Sequence, residues 1–305
     1  MHLNVNDETA TLRSVILGTA TLNGPTPSVE EAYDPKSRFH IAQGSYPLEA
    51  DMVQELEGFA AVLVKHGVEV FRPEVIENCN QIFSRDIGFV VNDCFVRANI
   101  LPDREREIEA IAPILKHIDP HKILTPPQEV HVEGGDVMPH HDYLFVGYYK
   151  GADYPETITA RTNEAAVSWL ESVFTTKEVK AFELRKSNTD PFTNALHLDC
   201  CFQPVGDHYA IIHEEGFLHP EDVDFLTELF GEENLFKISA QEMYDMTINI
   251  FSISPKVVVS DHHFVRLNAW LRERGIAVET ISFREIAKQE GLLRCTTLPL
   301  SRRST

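Results

Sequence analysis

Cys295 stands in Gly291-Leu292-Leu293-Arg294-Cys295-Thr296-Thr297, a short apolar lead-in followed by a run that Pro299 stops. A cysteine attacks as its thiolate, so a nucleophilic cysteine needs a positive neighbourhood and a base; Arg294 is adjacent, and the base must come from elsewhere in the chain. On its own the residue reads as a small buried hydrophobe, the commonest fate of a free cysteine. Four upstream clusters change that reading: Ser84-Arg85-Asp86, Glu133-Gly134-Gly135-Asp136, His197-Leu198-Asp199, and Asn249. They recur about fifty residues apart, and Cys295 falls in step with them.

Cys295, His197 and Glu133 have the residue types of a nucleophile, a base and an orienting carboxylate. The further acids, Asp86 and Asp199, suit a planar cation better than a developing oxyanion, because carboxylates grip a guanidinium through paired, charge-assisted hydrogen bonds. Alone, Glu133-Gly134-Gly135-Asp136 reads as an ordinary turn and His197 as a core or surface histidine. Their shared place in a repeat favours a common site.

The elements that must position these residues follow one order. Gly88–Asp93 and Cys94–Asn99 read as strands, 103–118 as a helix and 122–124 as a strand. The order returns as 136–138, 143–148, a helix over 162–174 and a strand at 179–184. It returns again as 200–205, 208–213, a helix over 220–230 and 234–238, and as 249–252, 256–260, a helix over 262–274 and 276–281. Leu12–Ala20, an amphipathic helix after Pro47 stopped by Gly67, and Val68–Phe71 lack only a first strand, which the stretch after Cys295 would supply. A long polar loop is expected from Asn23 to Gly44. Each polar cluster lies at the entrance of a first strand, so an arrangement about a pseudo-fivefold axis would bring them together.

The chain has 305 residues, no linker, and 27 basic against 47 acidic residues, a net charge of −20. It is expected to be a single catalytic domain, 1–305. That charge repels nucleic acid and anionic membranes and draws in small cations. Five cysteines without CxxC spacing suggest neither a disulfide framework nor a thiolate zinc site, and point to a reducing cytoplasm. The first residues lack the pattern of an export signal, and no stretch is long and apolar enough to span a bilayer. His140-His141-Asp142 and His262-His263 invite a metal reading. Neighbouring histidines on a strand face opposite ways, so none is expected. Cys200 and Cys201 read as strand core, and Arg302-Arg303 as solvated. Arg104, among alternating charges, reads equally well as part of a solvated helix face.

Ser84-Arg85-Asp86, Val132-Glu133-Gly134-Gly135-Asp136, His197-Leu198-Asp199 and Arg294-Cys295-Thr296-Thr297, in this order, resemble the motifs of the guanidino-group-modifying superfamily of arginine deiminases, dimethylargininases and amidinotransferases. The resemblance implies an α/β fold, a five-bladed propeller (pentein) of strand-strand-helix-strand units. It implies Cys295 as nucleophile, His197 as general acid and base, Glu133 as its orienting carboxylate, and Asp86 and Asp199 as guanidinium anchors, with Asp136 as a further substrate-binding residue. Arg104 and Arg161 occupy places similar to those of the arginines that hold the substrate's α-carboxylate in deiminases. It further implies a small cationic guanidino substrate and no metal or organic cofactor, and it leaves a homo-oligomer open. The chain departs from the pattern in having no glycine-rich run before the cysteine and little room for the extra helical insertion of bacterial deiminases. It keeps Asp86 where arginine dihydrolases carry Asn, which favours deiminase or amidinotransferase chemistry. A non-catalytic guanidino-binding protein is the reading from another class.

Overall fold

The computed structural model describes residues 1–303. In chain order, β1 (Thr11–Leu17) is followed across a long helix by β2 (Glu69–Phe71), and β3 (Gly88–Val91), β4 (Cys94–Arg97) and β5 (Ile123–Leu124) come next. Then come β6 (Val137–His140), β7 (Tyr143–Tyr148) and β8 (Glu178–Glu183), followed by β9 (Phe202–Val205), β10 (Tyr209–Ile212) and β11 (Leu235–Lys237). Last are β12 (Phe251–Ser254), β13 (Val257–Asp261), β14 (Ala277–Ile281) and β15 (Thr297–Arg303).

They form five three-stranded sheets of one design. A hairpin joins the first two strands antiparallel, and a helical crossover brings the third parallel to the second, as in β6–β7 and β7–β8. The fifth sheet draws its first strand from the far end of the chain: β15 lies antiparallel to β1, with Leu17 opposite Thr297, and β1 is parallel to β2. The result is a mixed α/β fold with five small sheets, in the expected strand-strand-helix-strand order.

Helix Glu49–Lys65 buries Met52, Leu56, Phe59 and Leu63, a stripe at three- and four-residue steps, and Gly67 ends it at φ +74°. Phe59 meets Phe251 and Phe283 edge-on at 5.7 and 5.9 Å. On the same helix Glu55 accepts from the Glu285 and Ile286 amides, both at 2.9 Å, which fixes the approach to Gly291 and Cys295.

Three expectations need correction. The helix expected over 103–118 is three short pieces, Pro102–Arg104, Glu105–Glu109 and Ala112–Leu115; Pro113 cannot donate to the preceding turn. The polar loop contains helix Pro35–Ala42, started by Asp34, whose carboxylate accepts from Ser37 N at 2.7 Å. Arg302 is not solvated: it is 1% exposed and donates to the Ala10 and Ser252 carbonyls, whereas Arg303 is exposed.

Candidate active site

Asp86, Glu133, His197, Asn249 and Cys295 each precede the first strand of a sheet, on a turn rather than in the strand, and all are buried. The Gly134–Asp136 turn exists because of crowding rather than positive φ. A Cβ on Gly135 would lie 2.6 Å from the His197 ring, and one on Gly134 would lie 2.2 Å from the Arg85 carbonyl. The Gly-Gly pair therefore lets Glu133 reach His197: Nε2 is 2.8 Å from Glu133 Oε2, while Nδ1 stands 3.8 Å from Asp86 Oδ1.

Burial disfavours charge on His197, yet Asp86 and the Glu133 hydrogen bond outweigh it and raise the imidazole pKa above its ordinary value. Burial likewise works against ionised Glu133, but Arg161 and the His197 hydrogen bond hold it well below the usual carboxylate range. Cys295 is pushed the other way, because burial, Asp199 and Asp86 all oppose a thiolate and raise its pKa well above that of a free thiol.

The positive neighbourhood expected from Arg294 is outweighed: Arg294 favours the thiolate less than burial, Asp199 and Asp86 oppose it. All five N–H bonds of its guanidinium are committed below the cysteine: Nη1 to Asp199 Oδ2 at 2.7 Å and the Gly135 carbonyl, Nη2 to Glu8 and the Val137 carbonyl, and Nε to Glu8. Glu8 also receives Arg85 at 3.3 Å. Burial opposes charge on Glu8, but Arg294 and Arg85 bring its pKa down to about 2.

Cys295 opens on a cavity of about 520 Å³ that is also lined by Asp86, Arg104, Arg161, His197 and Glu290. Arg104 is 5% exposed, which excludes the solvated helix face. Its guanidinium pairs with Glu107 at 2.8 Å and Asp86 Oδ2 at 2.9 Å. Arg161 donates to Glu133 Oε2 at 3.1 Å and to the Tyr33 carbonyl at 2.9 Å. Asp86 Oδ1 is buried and has no hydrogen-bond partner, and Asp86 lines the cavity.

Asp199 does not line the cavity but stands 3.6 Å from Cys295 Sγ, behind the thiol. The structure brings Asp136 beneath the wall instead of to it, where it receives Leu198 N at 2.8 Å and shapes the His197 turn. Asp86, Glu133 and His197 present three potential ligand atoms within 4.8 Å of one another. The Arg104 and Arg161 guanidiniums already neutralise those carboxylates, which disfavours a metal cation there.

Sequence reasoning assigned no site function to Asn249, although it noted the residue in step with the others. Asn249 Oδ1 accepts from the Arg294 and Cys295 amides at 3.0 and 3.2 Å, and Nδ2 donates to Cys295 Sγ at 3.2 Å. Glu8 and Glu290 were missed because neither falls in the repeat. Glu290, at φ +58°, receives Asn194 at 2.6 Å, and burial together with Asp34 raises its pKa well above the usual range.

The arrangement offers a thiol, an imidazole of raised pKa and an unpartnered carboxylate oxygen around one cavity, which suits attack on a planar cation. A family model described as arginine deiminase matches residues 230–302. YkgA of Bacillus subtilis (strain 168) is 29% identical over 242 residues, 79% of this chain and 77% of its own. Arginine deiminase of Listeria monocytogenes serotype 4a is 26% identical over 269 residues, and the match spans 73% of this chain but only 61% of that enzyme's length. Among solved structures, the inosamine-phosphate amidinotransferase StrB1 of Streptomyces griseus superimposes with a TM-score of 0.75 at 17% identity, covering 99% of this chain and 97% of that one. The substrate-bound N-terminal domain of the cyanobacterial arginine dihydrolase ArgZ does so with a TM-score of 0.76 at 15% identity, covering 95% and 98%. At those identities the structural likeness speaks for the fold alone.

Proposed function

We propose that this member of the guanidino-group-modifying superfamily is a cysteine-dependent hydrolase acting on the guanidino group of arginine or a close derivative. In this reading residues 1–305 are a single catalytic domain, the five sheets are blades of a pseudo-fivefold propeller, and the free cysteines fit a reducing, cytoplasmic setting. The observation that carries it is the meeting of Cys295, His197 and the unpartnered Asp86 Oδ1 on one cavity.

The guanidinium seats against Asp86, with Asp199 behind the thiol. Its positive charge lowers the thiol pKa that burial has raised, so ionisation of Cys295 is linked to substrate binding. The thiolate forms a C–S bond to the guanidino carbon, giving a tetrahedral adduct. The C–N bond then breaks as His197, whose proton affinity Asp86 and Glu133 raise, gives its proton to the leaving ammonia. The neutral imidazole next takes a proton from water, whose oxygen attacks the same carbon. The C–S bond breaks as the adduct's hydroxyl gives up its proton to solvent, leaving a ureido product and the thiolate. Arg104 and Arg161 line the cavity, and a substrate carboxylate would have to share them with Asp86, Glu107 and Glu133.

The motifs, which resemble those of amidinotransferases as well as deiminases, leave a second reading, in which an amine instead of water resolves the intermediate. Incubating the protein with L-arginine, with and without glycine, distinguishes the two. Hydrolysis yields citrulline and ammonia, whereas transfer yields ornithine and guanidinoacetate only with glycine. No product from L-arginine or its modified forms would leave the guanidino-binding reading.

A further inference from the structure

The reason for setting His140-His141 aside fails in the structure. His141 occupies the β6–β7 turn at φ +50°, so its ring swings to the same side as that of His140, with centroids 4.4 Å apart. Both Nδ1 atoms face one carboxylate oxygen, Asp7 Oδ2, at 3.5 Å for His140 and 3.2 Å for His141. His140 is 6% exposed, and its plane is fixed by stacking on Phe145 and Phe230 at 5.5 and 5.1 Å. Its Nδ1 is buried and has no hydrogen-bond partner.

A buried imidazole nitrogen without a partner is costly unless something joins it to the facing acceptor. The three ligand atoms lie within 4.8 Å of one another. Tetrahedral Zn²⁺ with nitrogen and oxygen ligands at about 2.0–2.1 Å separates neighbouring ligand atoms by about 3.3 Å, and the two observed separations lie on either side of that value. Asp7 is held for the purpose by the Thr9 amide and hydroxyl at 2.8 and 2.7 Å on Oδ1, and by the His141 amide at 3.1 Å on Oδ2.

We propose that Asp7, His140 and His141 form a site for a divalent transition-metal cation of the Zn²⁺ class. The fourth position is water, since the His141 side chain is 65% exposed. Two imidazoles and a carboxylate favour such a cation over Ca²⁺ or Mg²⁺, which take mainly oxygen ligands. The Lys177 ammonium, bonded to the Asn6 and His141 carbonyls, opposes the ion's charge and weakens its binding. The site staples the segment carrying Asp7 and Glu8 to the β6–β7 hairpin, where Glu8 N already donates to the Pro139 carbonyl at 2.9 Å.

Asp261, His262 and His263 provide the contrast. There His262 Nδ1 donates to the Ile281 carbonyl at 3.1 Å, and Asp261 accepts from His263 N, His263 Nδ1 and Phe283 N. None of the three is left unpartnered, so no ion is called for.

The test uses the full chain carrying Cys295→Ala, so that the thiol cannot take the metal. Titration with Co²⁺, followed by visible absorption, should show one equivalent in a tetrahedral site. Zn²⁺ should compete for it and raise the melting temperature. His141→Ala, a surface change that spares the fold, should weaken binding by at least the roughly 10–100-fold typical of disturbed metal sites. It should also abolish the Zn²⁺ stabilisation, and His140→Ala should remove the spectrum. His263→Ala should change nothing. Absence of binding, indifference to His141→Ala, or loss on His263→Ala instead would overturn the assignment.

Discussion

Two buried charge clusters lie on either side of Cys295, and they are finished to different degrees. Beneath it, Arg294 uses every donor it has, Glu8 bridges Arg294 and Arg85, and Asp199 closes the network. On the cavity side, Asp86 keeps one oxygen unpartnered, His197 Nδ1 stands too far from Asp86 for a hydrogen bond, and the thiol and imidazole pKa values are both raised. A buried network that satisfies every member is a structural part. One that holds back an acceptor and shifts proton affinities is prepared for something that arrives later.

Substitutions on the two sides should therefore separate activity from stability. Cys295→Ala should lower turnover on the order of a million-fold, to background, the scale seen when a nucleophile is removed elsewhere. The melting temperature should move by no more than a few degrees. Retained turnover would remove Cys295 from the chemistry.

Glu8→Ala should act on stability. Leaving the buried Arg85 without its carboxylate and Arg294 with Asp199 alone costs about 3–5 kcal/mol, a fall of roughly 10 °C in melting temperature by thermal unfolding. The effect carries a pH signature. Glu8 has its folded pKa depressed to about 2, so its stabilisation is complete above its unfolded pKa of about 4.3 and is lost as pH falls through the folded value. The gap between wild type and Glu8→Gln should be widest above pH 5 and shrink toward pH 2. A gap independent of pH would show that Glu8 is not the ion-pairing centre of the floor.

Asp86→Asn is the mildest of the three. Losing a charged acceptor should weaken guanidinium binding by about 1.5–3 kcal/mol, roughly 10–100-fold in Kd, measured with arginine on the Cys295→Ala background. Unchanged affinity would place the substrate away from Asp86.

The fold was legible because each unit states itself twice: short apolar strands ending at turn residues, and a helix with a three- and four-residue stripe. The missing strand before β1 was legible from the same count, since four complete units and one incomplete unit leave one place to fill. Helix Pro35–Ala42 escaped because it has almost no apolar face, although Asp34-Pro35 carried its start signal. The cavity-side residues were legible by their phase. The floor was not, because Glu8 and Arg294 are 286 residues apart and nothing in the local pattern of either announces the other. Arg302 misled for the opposite reason, since an arginine late in the chain carries no local sign of burial. The orientation of the histidine pair was misread because a strand rule was applied to His141, which lies in a turn.

The pairing of β15 with β1 also sets an order of assembly. During vectorial synthesis the ribosome delivers Asp86, Glu133 and His197 long before Cys295, and β1 waits beside β2 with one edge open until Thr297–Arg303 emerges. Under the proposed function, the nucleophilic thiol is thus installed with the strand that completes the fifth sheet, so nascent chains would carry the guanidinium-binding half of the site without the thiol. The same edge of β1, exposed until that moment, is where a truncated or stalled chain would be captured by a chaperone or by another copy of itself.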